Sequence, residues 1–169
     1  SWDESWGEWS YHDLSHRVAR VAAAYRAMGV QPGDRIVLMM RNIPEFHVLD
    51  LAAYFCGATS VSIYNSSSPD QVEYLVGHCA AVVAIVENAD FLAKFEPVRA
   101  ALPNLRTIVT LVDPPQLADG VVSHHVLTDA DPVERTARAA ERERATDPAR
   151  ARRRGRVALL CTRVVLVYT

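Results

Sequence analysis

Four groups of residues have types and spacings that could do chemistry. "YNSSSPDQ", Tyr64 to Gln71, sets three consecutive serines between an apolar run and an amphipathic one. "HDLSH" places His12 and His16 one helical turn apart, close to the H-E-x-x-H zinc spacing. His124 and His125 are adjacent, and "RARRRGR" packs five arginines into the seven residues Arg150 to Arg156.

A nucleophilic serine needs a base and usually a sharp turn such as G-x-S-x-G, which is not seen around Ser66 to Ser68. A phosphate loop needs glycines so that backbone N–H groups can approach the anion, and "NSSSPD" has none. A helix start explains the run better. Ser68 serves as N-cap, Pro69 takes the first helical position, Asp70 favours the positive end of the dipole, and Gln71 completes S-x-x-Q. His12 and His16 lack an evident third ligand, and aspartate is a shorter base than glutamate, so a surface or packing role is expected. His124 and His125, read as part of a strand, would face opposite sides and not chelate together. His47 and His78, lone residues within helices, are read as structural. Cys56, Cys79 and Cys161 have no C-x-x-C spacing and are read as thiols of a reducing compartment.

These residues hang on a regular alternation. Leu14, Val18, Val21, Ala22, Tyr25 and Met28 recur at helical spacing, with Ser10 and Asp13 forming a capping box and Gly29 the stop. "IVLMM", Ile36 to Met40, is an apolar run of the kind buried in a parallel sheet. Asn42 is expected to cap and Pro44 to start a helix running to Gly57, and Thr59 to Tyr64 forms a β-branched strand. A helix over "PDQVEYLVGHC", a strand over Val82 to Glu87, a helix broken near Pro97 and a strand over Leu105 to Val112 follow. "VVSHHVL" is a further strand candidate. Four helix–strand alternations with short connections predict an α/β fold: a mostly parallel sheet flanked by helices.

The 169 residues, half of them hydrophobic and 22% charged, suit an ordinary globular domain. Net charge is −2, which excludes a chain built throughout to coat nucleic acid. Residues 134–156 nevertheless carry nine Arg against four acids, net +5, leaving −7 for the rest. Without interleaved aromatics the Arg-rich segment is read as a solvated tail rather than a nucleic-acid binder, with membrane-surface association as an alternative. No apolar run approaches the roughly 20 residues of a membrane span, and the cytoplasm is the expected compartment. Trp2, Trp6 and Trp9 are read as a packing cluster.

Taken together, "RAMGVQPGDRIVLMMRNIPEF", "AAYFCGAT" and "VSIYNSSSPDQVEYLV" resemble the N-terminal portion of AMP-forming acyl-CoA synthetases, the adenylate-forming superfamily, with most likeness to the long-chain fatty acid ligases. The resemblance runs from Trp6 to about Val112. It implies a fold incomplete by itself: residues 1–128 as an N-terminal subdomain, 129–156 as a charged Ala/Arg-rich surface helix or disordered segment, and 157–169 as a strand leading into a phosphate loop. It implies ATP, Mg²⁺ and coenzyme A as cofactors of the parent enzyme and a fatty acid as its substrate. The family's phosphate signature reads Y-T-S-G-T-T-G-x-P-K-G, and the sequence closes on "VVLVYT". Tyr168 and Thr169 match its first two letters, and the resemblance assigns Thr169 a contact to phosphate or Mg²⁺. The 169 residues alone are expected to be inactive, to bind nucleotide poorly, and to associate or dissolve poorly. A product altered or shortened near its end is the accompanying expectation.

Overall fold

A computed structural model describes residues 9–130. The chain divides into two units, Ser1–Pro132 and Val133–Thr169, and the second lies outside the described residues.

Local signals set most of the elements. Helix α1 (Tyr11–Ala27) begins at a capping box in which Ser10 accepts from the Asp13 amide and Asp13 accepts from the Ser10 amide. The chain leaves α1 through Met28 and Gly29, whose φ of +79° is the left-handed geometry that favours glycine. Strand β1 (Arg35–Met39) follows, then α2 (Pro44–Phe55), β2 (Thr59–Ser62), α3 (Pro69–His78), β3 (Val83–Val86) and the single turn α4 (Ala89–Leu92). A 3₁₀ turn (Glu96–Ala101) carries Pro97 where the sequence anticipates a break. Strand β4 (Thr107–Thr110), β5 (Val121–Ser123) and a last short turn α5 (His125–Thr128) complete the order. The serine run does start α3: Ser68 accepts from the Gln71 amide at 3.4 Å and Gln71 Oε1 accepts from the Ser68 amide at 2.9 Å.

Two expectations are corrected. Helix α2 is capped at Ile43, with no side-chain capping bond, rather than at Asn42. Pro44 at the first position carries no N–H, which removes one donor that a cap would otherwise satisfy. "VVSHHVL" is a strand only through Ser123. His124 turns to helical angles (φ −56°, ψ −20°) and the chain continues into α5.

All five strands pair in parallel, in the order β2-β1-β3-β4-β5. Alternate strand residues serve two cores, as period-two geometry requires. Ile36, Leu38, Val83, Ile85 and Val109 pack beneath α1 and α2 together with Leu127. Val37, Met39, Ala84, Val86 and Ile108 pack on the other face against Val72 and Val76 of α3 and against Phe95. Tyr25 is fully buried in the first core, its hydroxyl donating to the Leu49 carbonyl at 3.3 Å. The outer side of α2 carries Leu51, Tyr54 and Phe55 to solvent, at helical spacings of three and four.

Candidate functional site

The strand order 2-1-3-4-5 reverses direction between β1 and β3, and in such sheets ligands sit beyond the carboxyl ends of the strands, beside that reversal. Four of the five strands hand over to a charged or histidine residue at that rim: Arg41 lies just past β1, Glu87 just past β3, Asp113 past β4, and His124 past β5.

At the reversal itself the two sides are tied together. Glu87 is 4% exposed, and its carboxylate accepts the Arg41 backbone amide at 2.7 Å and Arg41 Nε at 2.7 Å, with Arg41 Nη2 making a further ion pair. Burial alone would raise the Glu87 pKa. The Arg41 hydrogen bonds and charge outweigh it and hold the carboxyl below its ordinary value. The Glu87 amide donates to the Met39 carbonyl and the Glu87 carbonyl accepts from Val112, so the residue also joins β1 to the segment after β4. The ion pair thus bridges the reversal, with the Glu87 carboxylate buried and most of the Arg41 side chain in solvent.

One step along the rim a second cluster gathers. Ser123 Oγ donates to Asp113 Oδ2 at 2.5 Å, and Thr110 Oγ1 lies 3.2 Å from Asp113 Oδ1 and 2.8 Å from the Val112 carbonyl. His124 Nδ1 is 3.9 Å from Asp113 Oδ1, and the His124 and His125 rings stack with centroids 4.3 Å apart. Burial, reinforced by the neighbouring His125 and opposed by Asp113, lowers the His124 pKa. The expectation that the two histidines face opposite ways fails because the strand has already ended. Helical angles at His124 bring both rings to one side. The turn-and-helix wording "SHHVLTDAD" is the signal that could have shown it.

The other residues singled out in the sequence fall as follows. His12 and His16 lie on the exposed side of α1, with Nε2 atoms 3.1 Å apart. His47 packs edge-on to Phe46 and His78 stacks on Tyr74. Cys56 is buried, its thiol pKa raised by that burial, and Cys79 is partly buried; both are free thiols. Trp9 packs on the first core with the Arg17 guanidinium 4.2 Å from its ring centre. Trp2, Trp6, Cys161, Arg150 to Arg156, Tyr168 and Thr169 lie outside the described residues.

The described part of this rim carries no glycine-rich loop. Cradling a triphosphate needs glycines there, so that amides can approach. Gly29, Gly33, Gly57 and Gly120 all precede strands, and Gly77 lies within α3, so none stands at a strand's carboxyl end.

A family model described as "AMP-binding enzyme" matches residues 2–160. The chain belongs to that family. Among its relatives, the long-chain-fatty-acid–CoA ligase FadD15 of Mycobacterium bovis is 30% identical over 151 residues, 87% of the chain and 24% of the ligase. An uncharacterized protein of Mycobacterium tuberculosis is 40% identical over 79 residues, 47% of the chain and 45% of that protein. The chain therefore spans about a quarter of the ligase and less than half of the shorter relative. The crystal structure of the anthranilate CoA ligase AuaEII in complex with anthranoyl-AMP superposes with a TM-score of 0.69 at 26% identity, covering 75% of this chain and 24% of the ligase. The parallel sheet and its flanking helices are those of the N-terminal domain of adenylate-forming enzymes. No described helix is long and apolar enough to cross a membrane.

Proposed function

We propose that these residues are the framework portion of an ATP-dependent fatty acid–CoA ligase. Such an enzyme joins a carboxylate to ATP, giving acyl-adenylate and pyrophosphate; the coenzyme A thiol then displaces AMP and leaves a thioester. The match to FadD15 over 87% of the chain carries the reading, and the family match over residues 2–160 supports its adenylate-forming part. The parent would use ATP, Mg²⁺ and coenzyme A. Thr169, behind Tyr168, would stand at the opening of the phosphate signature and offer its hydroxyl to the nucleotide phosphates or Mg²⁺. The described residues would stiffen the domain: parallel strands on two cores, with Arg41 and Glu87 tying β1 to β3 at the sheet reversal. Because preorganised donors do most of the work in phosphate chemistry, the 169 residues by themselves would not catalyse it.

ATP–pyrophosphate exchange tests both parts. The purified 169-residue chain with hexadecanoate should give none, and acyl-adenylate from it would refute the framework reading. A chain extended through S-G-T-T-G-x-P-K-G, where the encoding DNA continues into it, should exchange with hexadecanoate. Exchange with anthranilate instead would refute the fatty acid assignment.

A second reading is a non-catalytic α/β protein of the same descent that binds a partner or an acyl chain. One observation favours it: 79 residues make up 45% of the M. tuberculosis relative, so that relative is itself far shorter than the ligases, of which FadD15 is covered to only 24% by 151 residues. Acyl-chain binding by the 169-mer, measured by fluorescence displacement without any exchange activity, would select this reading.

A further inference from the structure

We propose that Asp113, His124 and His125 bind a divalent first-row transition metal, zinc above all, at the carboxyl ends of β4 and β5. Their ligand atoms, one from each side chain, all lie within 4.8 Å of one another. The topology makes this meeting. β4 and β5 are parallel neighbours with Thr110 opposite Ser123, so the residues just past each strand emerge side by side. Asp113 then curls back to its own strand end, and His124 begins α5.

The donor set selects the ion. Two imidazole nitrogens and one carboxylate oxygen suit zinc and its neighbours, whereas calcium and magnesium require shells built mainly of oxygen. The carboxylate is already steered from behind: Ser123 Oγ holds Asp113 Oδ2 at 2.5 Å, and Thr110 Oγ1 stands 3.2 Å from Oδ1. Outer hydroxyls of this kind orient metal-binding carboxylates. Ser123 also accepts the His125 amide at 3.2 Å, which couples the carboxylate's support to the backbone of the second histidine. Ligands about 2.1 Å from a tetrahedral ion stand about 3.4 Å apart, so binding draws the three side chains inward. The His125 side chain is 67% exposed and can turn at little cost, while His124, at 18%, is the more fixed partner. A competing contact exists: His125 Nδ1 lies 4.0 Å from Asp129 Oδ2, an exposed pair that gains little in water. A bound ion would clip the connection from Asp113 to His124 against the end of the sheet. Binding to the folded state would then raise the melting temperature.

His12 and His16 are the internal control. Their nitrogens are closer, at 3.1 Å, but these two belong to no group of three ligands among the described residues.

The chelator-stripped 169-residue chain is titrated with Zn²⁺ against a chromophoric chelator, and with Co²⁺ for its visible spectrum. The wild type should bind one ion tightly and melt at a higher temperature with Zn²⁺. His125→Ala and Asp113→Asn, both changes of exposed side chains, should each weaken Zn²⁺ binding about 10-fold or more and abolish the thermal shift. The His12→Ala/His16→Ala double variant should bind as the wild type does. Binding that survives within about twofold in both His125→Ala and Asp113→Asn, binding lost only in the double variant, or no Zn²⁺ binding by the wild type would each overturn the proposal.

Discussion

Arg41 with Glu87, and Asp113 with His124 and His125, occupy neighbouring places on one rim of one sheet, yet they spend their polar groups differently. The first pair turns inward. A carboxylate almost removed from water collects an amide and a guanidinium, and the result joins β1 to β3. The second group converges more loosely: His124 Nδ1 stands 3.9 Å from Asp113 Oδ1, longer than a hydrogen bond, and the two imidazole rings stack beside it. The same strand-end geometry therefore yields a stabilising tie where a buried carboxylate meets an opposite charge that reaches in from the surface. Where the side chains are ligands at a partly wet surface, it yields a receptive cluster.

Breaking the tie should have the largest effect on stability. Glu87→Gln removes the charge that Arg41 meets, and about 2 kcal/mol should be lost, read as a lowered urea midpoint with the m-value unchanged. The pH dependence carries the same signature. The Glu87 carboxyl is held below its ordinary value of 4.5, so its contribution is complete above that value and disappears as pH falls through the lowered pKa. The acid limb of the wild-type stability curve should be steeper than that of Glu87→Gln, and equal slopes would detach Glu87 from acid unfolding. Zinc binding should not change in this variant.

Ser123→Ala is intermediate. It removes a hydrogen bond to a charged group at a partly exposed position, so about 1 kcal/mol is expected, with zinc affinity falling about 10-fold. A stability loss without an affinity loss would make Ser123 a brace for the turn alone. The smallest stability effect belongs to His125→Ala, which in metal-free buffer should lie within about 0.5 kcal/mol of the wild type. A larger loss in metal-free buffer would mean that His125, like Glu87, is part of the framework.

How much of this was legible in the residues depended on range. Ser10 with Asp13, and Ser68 with Gln71, are contacts three residues apart, and both capping boxes follow from the wording of the chain. The parallel class followed from strands separated by helices, because such strands need crossovers. The Arg41–Glu87 pair spans 46 residues and depends on β1 and β3 being neighbours, which only the strand order reveals. Its trace in the chain is the echo between "IVLMMRN" and "VVAIVEN", an apolar strand followed by a charge and an asparagine. Asn88 caps α4 while Asn42 does not cap α2, so the echo holds for the charges and not for the caps. The histidines were misplaced for a different reason: a strand of three residues is too short for alternation to be distinguished from the turn after it.

The outward side chains on α2 bear on handling rather than on folding. Tyr54 and Phe55 keep well over half of their exposure to water in the folded chain and Leu51 more than a third, so this side of the helix contributes less to the difference that a melting curve measures than the buried side does. What they leave on the surface is apolar area open to a second molecule, so the concentration of a well-folded preparation would be bounded by how readily one such helix finds another.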